Sequence, residues 1–231
     1  MSSLLSDAPS EAIKVDVWSD IACPWCFIGK RKFEAAVASS GIPVEVEYHS
    51  FELSPGTPAE FAGSHDEFLA AHLGVSLEQA AAMGERVTGL AAAVGLHYDY
   101  AKLQTTNTVL GHQAIHYAKA RGMQAQMKER LMKAYFEEGR HVGRIADVAD
   151  LAAEIGLDRE DVVRSLSADE HLAAVRADVA QAGELGIRGV PFFVLDGKYG
   201  ISGAQESAIF ANALQQVAAE RASDPANEAV S

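Results

Sequence analysis

Two short stretches near the start of the chain alternate between apolar and polar side chains, and a helical pattern separates them. Residues 13–18 and 44–48 alternate in the way that half-buried strands do. Between these stretches, apolar side chains recur at helical spacing from Phe27 to Val37, and Gly41 ends the run. The start of the chain is therefore predicted to fold as strand, helix and strand.

Helical spacing dominates the middle of the chain, from about residue 64 to residue 185. Ser76 and Gln79 have the spacing of a capping box, ahead of an alanine-rich helix that should end near Gly95. Glycines punctuate the helices that follow. These later helices are predicted over residues 107–121, 123–138, 147–155, 158–166 and 170–185.

The strand pattern returns near the end of the chain. Residues 190–195 are an apolar run typical of a buried strand, and Asp196-Gly197 is a turn pair that favours a hairpin. Residues 198–202 would be the returning strand, with a helix after it over about 205–221. This order predicts an α/β fold in which an all-helical insertion interrupts a single core. The core's β-α-β half covers residues 12–57, the insertion 58–185, and the β-β-α half 186–221.

The composition is that of an ordinary globular protein, and it argues against two kinds of partner. Hydrophobic residues make up 48% of the chain, and the formal net charge is -13. Phosphate binding needs a basic surface, so we expect no nucleic acid partner, and the acidic balance makes adsorption to an anionic membrane unfavourable.

The ends of the chain and its longest apolar runs bear on its location. Residues 1–12 and 222–231 are polar and are predicted to be loose tails, and the first of them lacks the apolar core of a secretion signal. No run of the sequence reaches the roughly 18 apolar residues of a membrane span. We therefore predict a protein of the reducing cytoplasm.

The chain has only two cysteines, Cys23 and Cys26. A disulfide between them would close a very small loop and restrict the unfolded chain little. In a reducing compartment such a pair is more often catalytic or metal-binding than structural. A zinc site normally has four ligands, and the eight histidines are scattered along the sequence, so we predict redox catalysis and no metal.

The position of the pair suggests a role for each cysteine. Pro24 suits the first turn of a helix, which puts Cys23 at the helix N-terminus, where backbone N–H groups and the helix dipole stabilise a thiolate. In such sites the thiol pKa falls to about 3.5–7.5. We therefore expect Cys23 to be the nucleophile and Cys26 to resolve the mixed disulfide. Pro191, which opens a predicted strand, is a candidate neighbour of an active site.

Ordered motifs along nearly the whole chain resemble the DsbA-like branch of the thioredoxin superfamily, in particular its cytoplasmic FrnE-type members. The motifs are Asp20-Ile21-Ala22-Cys23-Pro24-Trp25-Cys26-Phe27-Ile28-Gly29-Lys30, Phe51-Glu52-Leu53-Ser54-Pro55, Asn107-Thr108 with His112, Ala134-Tyr135-Phe136, Gly189-Val190-Pro191-Phe192-Phe193 and Ser202-Gly203-Ala204-Gln205. The resemblance implies a thioredoxin-like core interrupted by the helical insertion, a cis peptide bond before Pro191, and a protein-disulfide oxidoreductase or isomerase that acts through Cys23 and Cys26.

The resemblance also implies where substrates would bind. Pro24 and Trp25, between the cysteines, are expected to shape the surface that meets the substrate. The backbone of Val190 and the turn containing Gly203 and Gln205 are candidates to cradle a small thiol. No bound cofactor is expected. The expected partners are protein or small-molecule thiols and disulfides, with glutathione as a candidate thiol co-substrate.

The chain departs from its relatives in two respects. Thioredoxin itself is expected to have a buried acid six positions before its nucleophile, where this chain has Val17. An acid–base group for Cys26 must then come from elsewhere, and Asp20 is the nearest candidate, although a role in holding the loop is at least as good an interpretation. Some FrnE-type proteins carry a second cysteine pair, which this chain lacks.

Two alternative functions remain open. Kappa-class glutathione transferases and 2-hydroxychromene-2-carboxylate isomerases have a similar insertion architecture, but they typically have serine where Cys23 stands. The retained cysteine pair argues against their glutathione-dependent chemistry, but a glutathione-dependent isomerase or transferase remains the alternative function. A redox-regulated binding protein or holdase, whose cysteines only sense oxidation, is the other alternative.

Overall fold

The first strand, helix and strand form as predicted. The computed structural model describes residues 12–223, so most of both predicted tails lies outside the described part. Strands β1 (Ile13–Ser19) and β2 (Val44–Ser50) pair in parallel, and helix α1 (Pro24–Ser40) connects them. Gly41 ends α1 in a left-handed conformation at φ 66°, which glycine adopts without steric cost.

The C-terminal half joins the same sheet. It consists of β3 (Phe192–Leu195), β4 (Tyr199–Ser202) and the final helix, Ser207–Ser223. β3 lies antiparallel to both β1 and β4, which gives a four-stranded sheet in the order β2-β1-β3-β4. The prediction that the two halves meet in one sheet is confirmed. β3 begins two residues later than predicted because Pro191 lacks the N–H that a strand ladder uses.

Every element between β2 and β3 is a helix. The capping box at Ser76 and Gln79 forms as predicted, and a second one forms at Ser64 and Glu67. The helices are α2 (His65–Leu73), α3 (Leu77–Ala92), α4 (Val109–Lys119), α5 (Gln124–Phe136), α6 (Ile145–Glu154), α7 (Arg159–Ser167) and α8 (Leu172–Glu184), and the final helix is α9. The α/β fold with a helical insertion is thus confirmed, whereas the exact limits of the predicted domains remain a prediction. Among the described residues, no helix is long and apolar enough to cross a membrane.

The described residues form two large apolar cores and a smaller cluster around Trp18. One packs α1 and α9 against the sheet through Phe33, Phe193 and Phe210, whose ring centroids lie 4.7–5.5 Å apart. The other fills the helical insertion, and both Cys23 and Cys26 belong to it. The cysteine pair therefore starts on the α/β core and is enclosed by the insertion.

One of three consecutive cations on α1 is buried. Lys30, Arg31 and Lys32 are consecutive cations that suggest a solvated helix face, yet only 7% of Lys30 is exposed. Its Nζ pairs with Glu34 Oε1 at 2.5 Å and with Glu129 Oε2 of α5 at 2.7 Å. The helical insertion covers this side of α1, which the local pattern of α1 alone cannot reveal.

Candidate active site

The two cysteines lie at the first turn of α1. Cys23 is the N-cap residue, with extended backbone at φ -91° and ψ 111°, and Pro24 occupies the first turn, where its missing N–H is not needed. The Cys26 N–H donates to the Cys23 carbonyl at 3.0 Å. Both thiols are free, and 1% of Cys23 and 3% of Cys26 is exposed.

The loop before β3 faces the cysteines from the other half of the core. The Val190–Pro191 peptide bond is cis, as predicted. The Cys23 Sγ lies 3.5 Å from the Val190 carbonyl oxygen, at hydrogen-bonding distance. Behind the loop, the Gly203 N–H donates to the Pro191 carbonyl at 2.8 Å, so the turn after β4 holds the loop in position.

A glycine of α1 lets this loop approach closely. A Cβ atom placed on Gly29 would lie 2.9 Å from Cγ of the Pro191 ring, which is closer than real Cβ atoms come. Because Gly29 has no side chain, the ring of Pro191 packs directly on the backbone of α1, one turn beyond the cysteine pair. The contact sets the spacing between the helix and the loop.

The electrostatics of the pair differ from the expectation for Cys23. Burial raises the pKa of the Cys23 thiol well above its ordinary value, and the hydrogen bond and charge of Cys26 add to this effect. Burial also opposes ionisation of Cys26, but the hydrogen bond from Cys23, the positive charge of Lys128 and a hydrogen bond from Ser19 hold the pKa of Cys26 below its ordinary value. In the reduced protein Cys23 thus keeps its proton, and the negative charge is favoured at Cys26.

Lys128 is a charged group beneath the cysteines that the sequence reasoning missed. It belongs to α5, only 1% of it is exposed, and its Nζ donates to the Ser19 carbonyl at 3.2 Å. Burial lowers the pKa of Lys128, while the charges of Cys26 and Asp20 partly oppose this. Helical spacing was an available signal, because Lys128 shares the buried face of α5 with Gln124 and Leu131.

Asp20 holds together the loops around the site. Its Oδ2 accepts the Leu53 N–H at 2.9 Å, and its Oδ1 lies 3.2 Å from Nε2 of His112 on α4. Burial alone would raise the pKa of Asp20, but the hydrogen bond and the charge of His112 keep it below its ordinary value. The carboxylate therefore stays ionised. It links the cysteine motif to the segment after β2 and to helix α4 of the insertion.

The predicted substrate-binding residues lie in two places. Pro24 and Trp25 line a cavity of about 340 Å³ beside the motif, and 41% of Trp25 is exposed. Val190 and Gly203 belong to the loop on the other side of Cys23, as the hydrogen bonds above show. The Gln205 side chain turns back, and its Nε2 donates to the Ser202 carbonyl at 2.8 Å.

Fold and site together define a class of protein. A β-α-β and a β-β-α half joined in one sheet, a cysteine pair at the start of α1 and a cis-proline loop against the first cysteine are the parts of a thioredoxin-fold protein of the thiol–disulfide oxidoreductase type. The model of the DSBA-like thioredoxin domain matches residues 14–215. The chain belongs to this family.

Known proteins of similar sequence or structure agree with this assignment. The chain is 28% identical over 204 residues to the uncharacterised protein YwbO of Bacillus subtilis, covering 87% of this chain and 96% of YwbO. It is 40% identical to the probable DsbA oxidoreductase SCO1869 of Streptomyces coelicolor, whose crystal structure matches with a TM-score of 0.81 over 88% of this chain and 89% of that one.

A more distant structure shares the fold. The cytosolic disulfide reductase DsbM of Pseudomonas aeruginosa is 19% identical and matches with a TM-score of 0.63 over 88% of this chain and 98% of that one. The structure of DsbM with GSH matches equally well.

Proposed function

We propose that this protein exchanges disulfides with thiol and disulfide substrates, with Cys23 as nucleophile and Cys26 as resolving thiol. The observation that carries the proposal is the contact between the Cys23 thiol and the Val190 carbonyl, next to the cis peptide bond of Pro191. An extended substrate that pairs with this loop would bring its own sulfur to Cys23. Cys26 lies on the opposite side, towards Ser19 and Lys128.

The first step begins with the proton that Cys23 retains. Because the two thiols are hydrogen-bonded, this proton can move from the Cys23 sulfur to the Cys26 sulfur and leave a thiolate at the helix N-terminus. The Cys23 thiolate attacks one sulfur of the substrate disulfide, the sulfur–sulfur bond of the substrate breaks, and the departing thiolate takes up a proton from solvent. The product is a mixed disulfide at Cys23.

The second step requires Cys26 to lose its proton. Cys26 releases its proton to solvent, the positive charge of Lys128 favours the resulting thiolate, and this thiolate attacks the Cys23 sulfur. The bond between Cys23 and the substrate breaks, a second substrate thiolate leaves, and the Cys23–Cys26 disulfide forms. Lys128 would therefore assist the ionisation of Cys26 in a chain that has Val17 at the position of thioredoxin's buried acid.

A thiol reductant must return the pair to the reduced form, and glutathione is our candidate for that partner. The likeness of the fold to DsbM, whose structure was solved with GSH, supports this choice, as it supports a cytoplasmic location. Run in reverse, the same steps oxidise substrate thiols.

Turnover of a protein disulfide by single-cysteine variants tests the proposal. We expect Cys23→Ser to abolish turnover and Cys26→Ser to accumulate a mixed disulfide at Cys23, which mass spectrometry would identify. Ser39→Ala, on the exposed end of α1, is the control and should behave as the wild type. Glutathione-dependent turnover that survives Cys26→Ser would instead support the isomerase or transferase alternative.

A further inference from the structure

A cavity of about 340 Å³ opens beside the cysteine motif, between the loop that follows β1 and helices α2 and α3. Both chain neighbours of Cys23, Ala22 and Pro24, form part of its wall. A group held in the cavity would therefore lie next to the nucleophile. Its volume is within the range of small-molecule pockets.

The wall of this cavity is mostly apolar. The described residues that line it include no lysine and no arginine. His65 stacks on Tyr100 with ring centroids 4.9 Å apart, and burial lowers the pKa of His65, which favours its neutral form. The only carboxylate of the wall, Asp20, is held by His112 and the Leu53 N–H. A negatively charged ligand would meet the carboxylate of Asp20 and no lysine or arginine, and the second histidine of the wall, His72, is exposed.

The rim of the cavity is also apolar. Trp25, Leu53, Leu73 and Met83 all line it, yet each is between 41% and 47% exposed. Large apolar side chains in contact with water at one place are typical of a ligand-binding surface.

A glycine inside α3 keeps part of the cavity open. Gly84 is buried within this helix, where glycine costs about 0.5–1 kcal/mol relative to alanine. An added Cβ would lie 3.6 Å from Cδ2 of Tyr100, an ordinary contact, so close packing does not require glycine here. Its effect is to leave space in front of Tyr100.

We propose that this cavity binds an uncharged aromatic or branched aliphatic group carried on one sulfur of a low-molecular-weight disulfide. The inference rests on the proposed function, since it places the group on the sulfur that Cys23 attacks. The Cys23 thiolate bonds to the sulfur that carries the group, the substrate's sulfur–sulfur bond breaks, and the other half leaves as a thiolate. Glutathione, with its two carboxylates, would serve as the reductant from the side of Val190 and would not occupy the cavity.

Calorimetry with a probe that has no redox chemistry tests the site separately from turnover. Benzyl methyl sulfide, an uncharged thioether, should bind to the reduced full chain, and its ring-carboxylated analogue should bind at least roughly tenfold more weakly. Gly84→Met should fill the cavity and weaken binding of the uncharged probe roughly tenfold. Gly89→Met is the matched control, because Gly89 lies on the same helix with nothing within 4 Å of an added Cβ.

A charged variant and a kinetic assay complete the test. Val87→Lys places a cation in the wall and should reverse the preference in favour of the carboxylated probe. In turnover, Gly84→Met should lower kcat/KM for dibenzyl disulfide roughly tenfold and leave glutathione disulfide unchanged. Equal binding of both probes, or binding that Gly84→Met does not weaken, would overturn the inference. A wild-type protein that binds the uncharged probe but reduces neither disulfide would refute the proposed function and leave the binding site standing.

Discussion

At the scale of single residues, the charge at the cysteine pair depends on a lysine that the α/β core does not supply. Lys128 comes from α5 of the insertion, and its charge helps hold the pKa of Cys26 below its ordinary value. Its Nζ makes a hydrogen bond to the Ser19 carbonyl, at the end of β1. The position of Lys128 therefore depends on how the insertion docks on the core.

Lys128→Met should slow the resolution of the mixed disulfide without unfolding the protein. Loss of the cation raises the pKa of Cys26, and each unit of that rise leaves about tenfold less thiolate at a pH below both values. The Ser19 carbonyl loses its buried donor, so we expect the free energy of unfolding to fall by about 1–3 kcal/mol, and the rates are compared well below the unfolding transition. Quenched-flow trapping of the mixed disulfide across pH would measure the effect as a resolution profile displaced to higher pH.

Lys133→Met is the matched control for this experiment, since Lys133 is an exposed lysine on the same helix. An unchanged pH profile in Lys128→Met would show that Lys128 has only a structural role. Lys128→Arg, which keeps the positive charge, should retain a low pKa at Cys26 and a pH profile close to that of the wild type.

The roles of single residues were the least predictable part of the site. The sequence places Cys23 at a helix N-terminus correctly, but the raised pKa of its thiol follows from burial, which depends on the insertion. Lys128 and Lys30 are missed for a similar reason, since each pairs with groups distant in sequence. Asp20, for which a role at Cys26 and a role in holding the loop were both open, binds His112 of the insertion, a partner distant in sequence.

At the scale of elements, α1 brings the cysteines and the cis-proline loop together. Its first turn carries Cys23 and Cys26, and Gly29 one turn later receives the ring of Pro191. Element positions were largely predictable, because helical and strand periodicity are local. The five helices from α4 to α8 begin and end within two residues of the prediction, whereas α3 ends three residues before the predicted Gly95. Contacts between elements, such as that of Gly29 with Pro191, have no local pattern.

Gly29→Ala should separate the loop from the cysteines. The new Cβ would meet the Pro191 ring at 2.9 Å, so the loop or the helix must move, and overpacking of this kind costs about 1–3 kcal/mol. Because the Val190 carbonyl would move with the loop, disulfide turnover should fall by more than the loss of stability explains. Thermal unfolding and turnover measured on the same sample, below the unfolding transition, test this.

Gly183→Ala on α8 is the control, since an added Cβ there has no atom within 4 Å. Gly183 lies in the last turn of this helix, where alanine should stabilise the protein by up to about 1 kcal/mol and leave turnover unchanged. Wild-type turnover in Gly29→Ala would mean that the spacing between helix and loop does not limit catalysis.

At the scale of the whole molecule, a buried network ties the sheet to the insertion. His49 of β2 lies 2.8 Å from Asp16 of β1 and 3.2 Å from Asp178 of α8. Asp178 also accepts the Ser50 N–H at 2.7 Å and lies 3.0 Å from Nε2 of His116 on α4. Ionisation within this network should therefore couple the docking of the two parts to pH.

The folding stability should depend on pH through both His49 and Asp178. Burial opposes the charged form of His49, but its bonds to Asp178 and Asp16 raise its pKa above 6.5. Its contribution to the free energy of unfolding is therefore full below about pH 6.5 and is lost as the pH rises through the raised pKa. Burial opposes ionisation of Asp178 as well, yet the bonds from His116 and His49 lower its pKa, so its contribution is present above about pH 3.8 and is lost at lower pH. We expect the network to stabilise the fold most between about pH 4 and pH 6.5.

Asp178→Asn should remove most of the pH dependence of folding stability. It should lower the free energy of unfolding by about 2–3 kcal/mol at pH 6, because His49 and the Ser50 N–H lose a charged acceptor. Asp150→Asn is the control, since Asp150 forms an exposed ion pair with Arg159, and exposed pairs contribute about 0–1 kcal/mol. Urea unfolding at several pH values gives both quantities. A pH profile of Asp178→Asn that parallels the wild type would contradict the role of the network.

The near-complete burial of Cys23 has a consequence for oxidative stress. Thiols that react quickly with peroxide are exposed and ionised, whereas Cys23 is 1% exposed and its pKa is raised. Hydrogen peroxide should therefore form sulfenic acid at Cys23 slowly, and over-oxidation to sulfinic acid should be rare even when the oxidant is abundant. Cys23 would therefore be a poor sensor of peroxide. The protein should keep its activity at peroxide concentrations that already oxidise the exposed cysteines of other proteins.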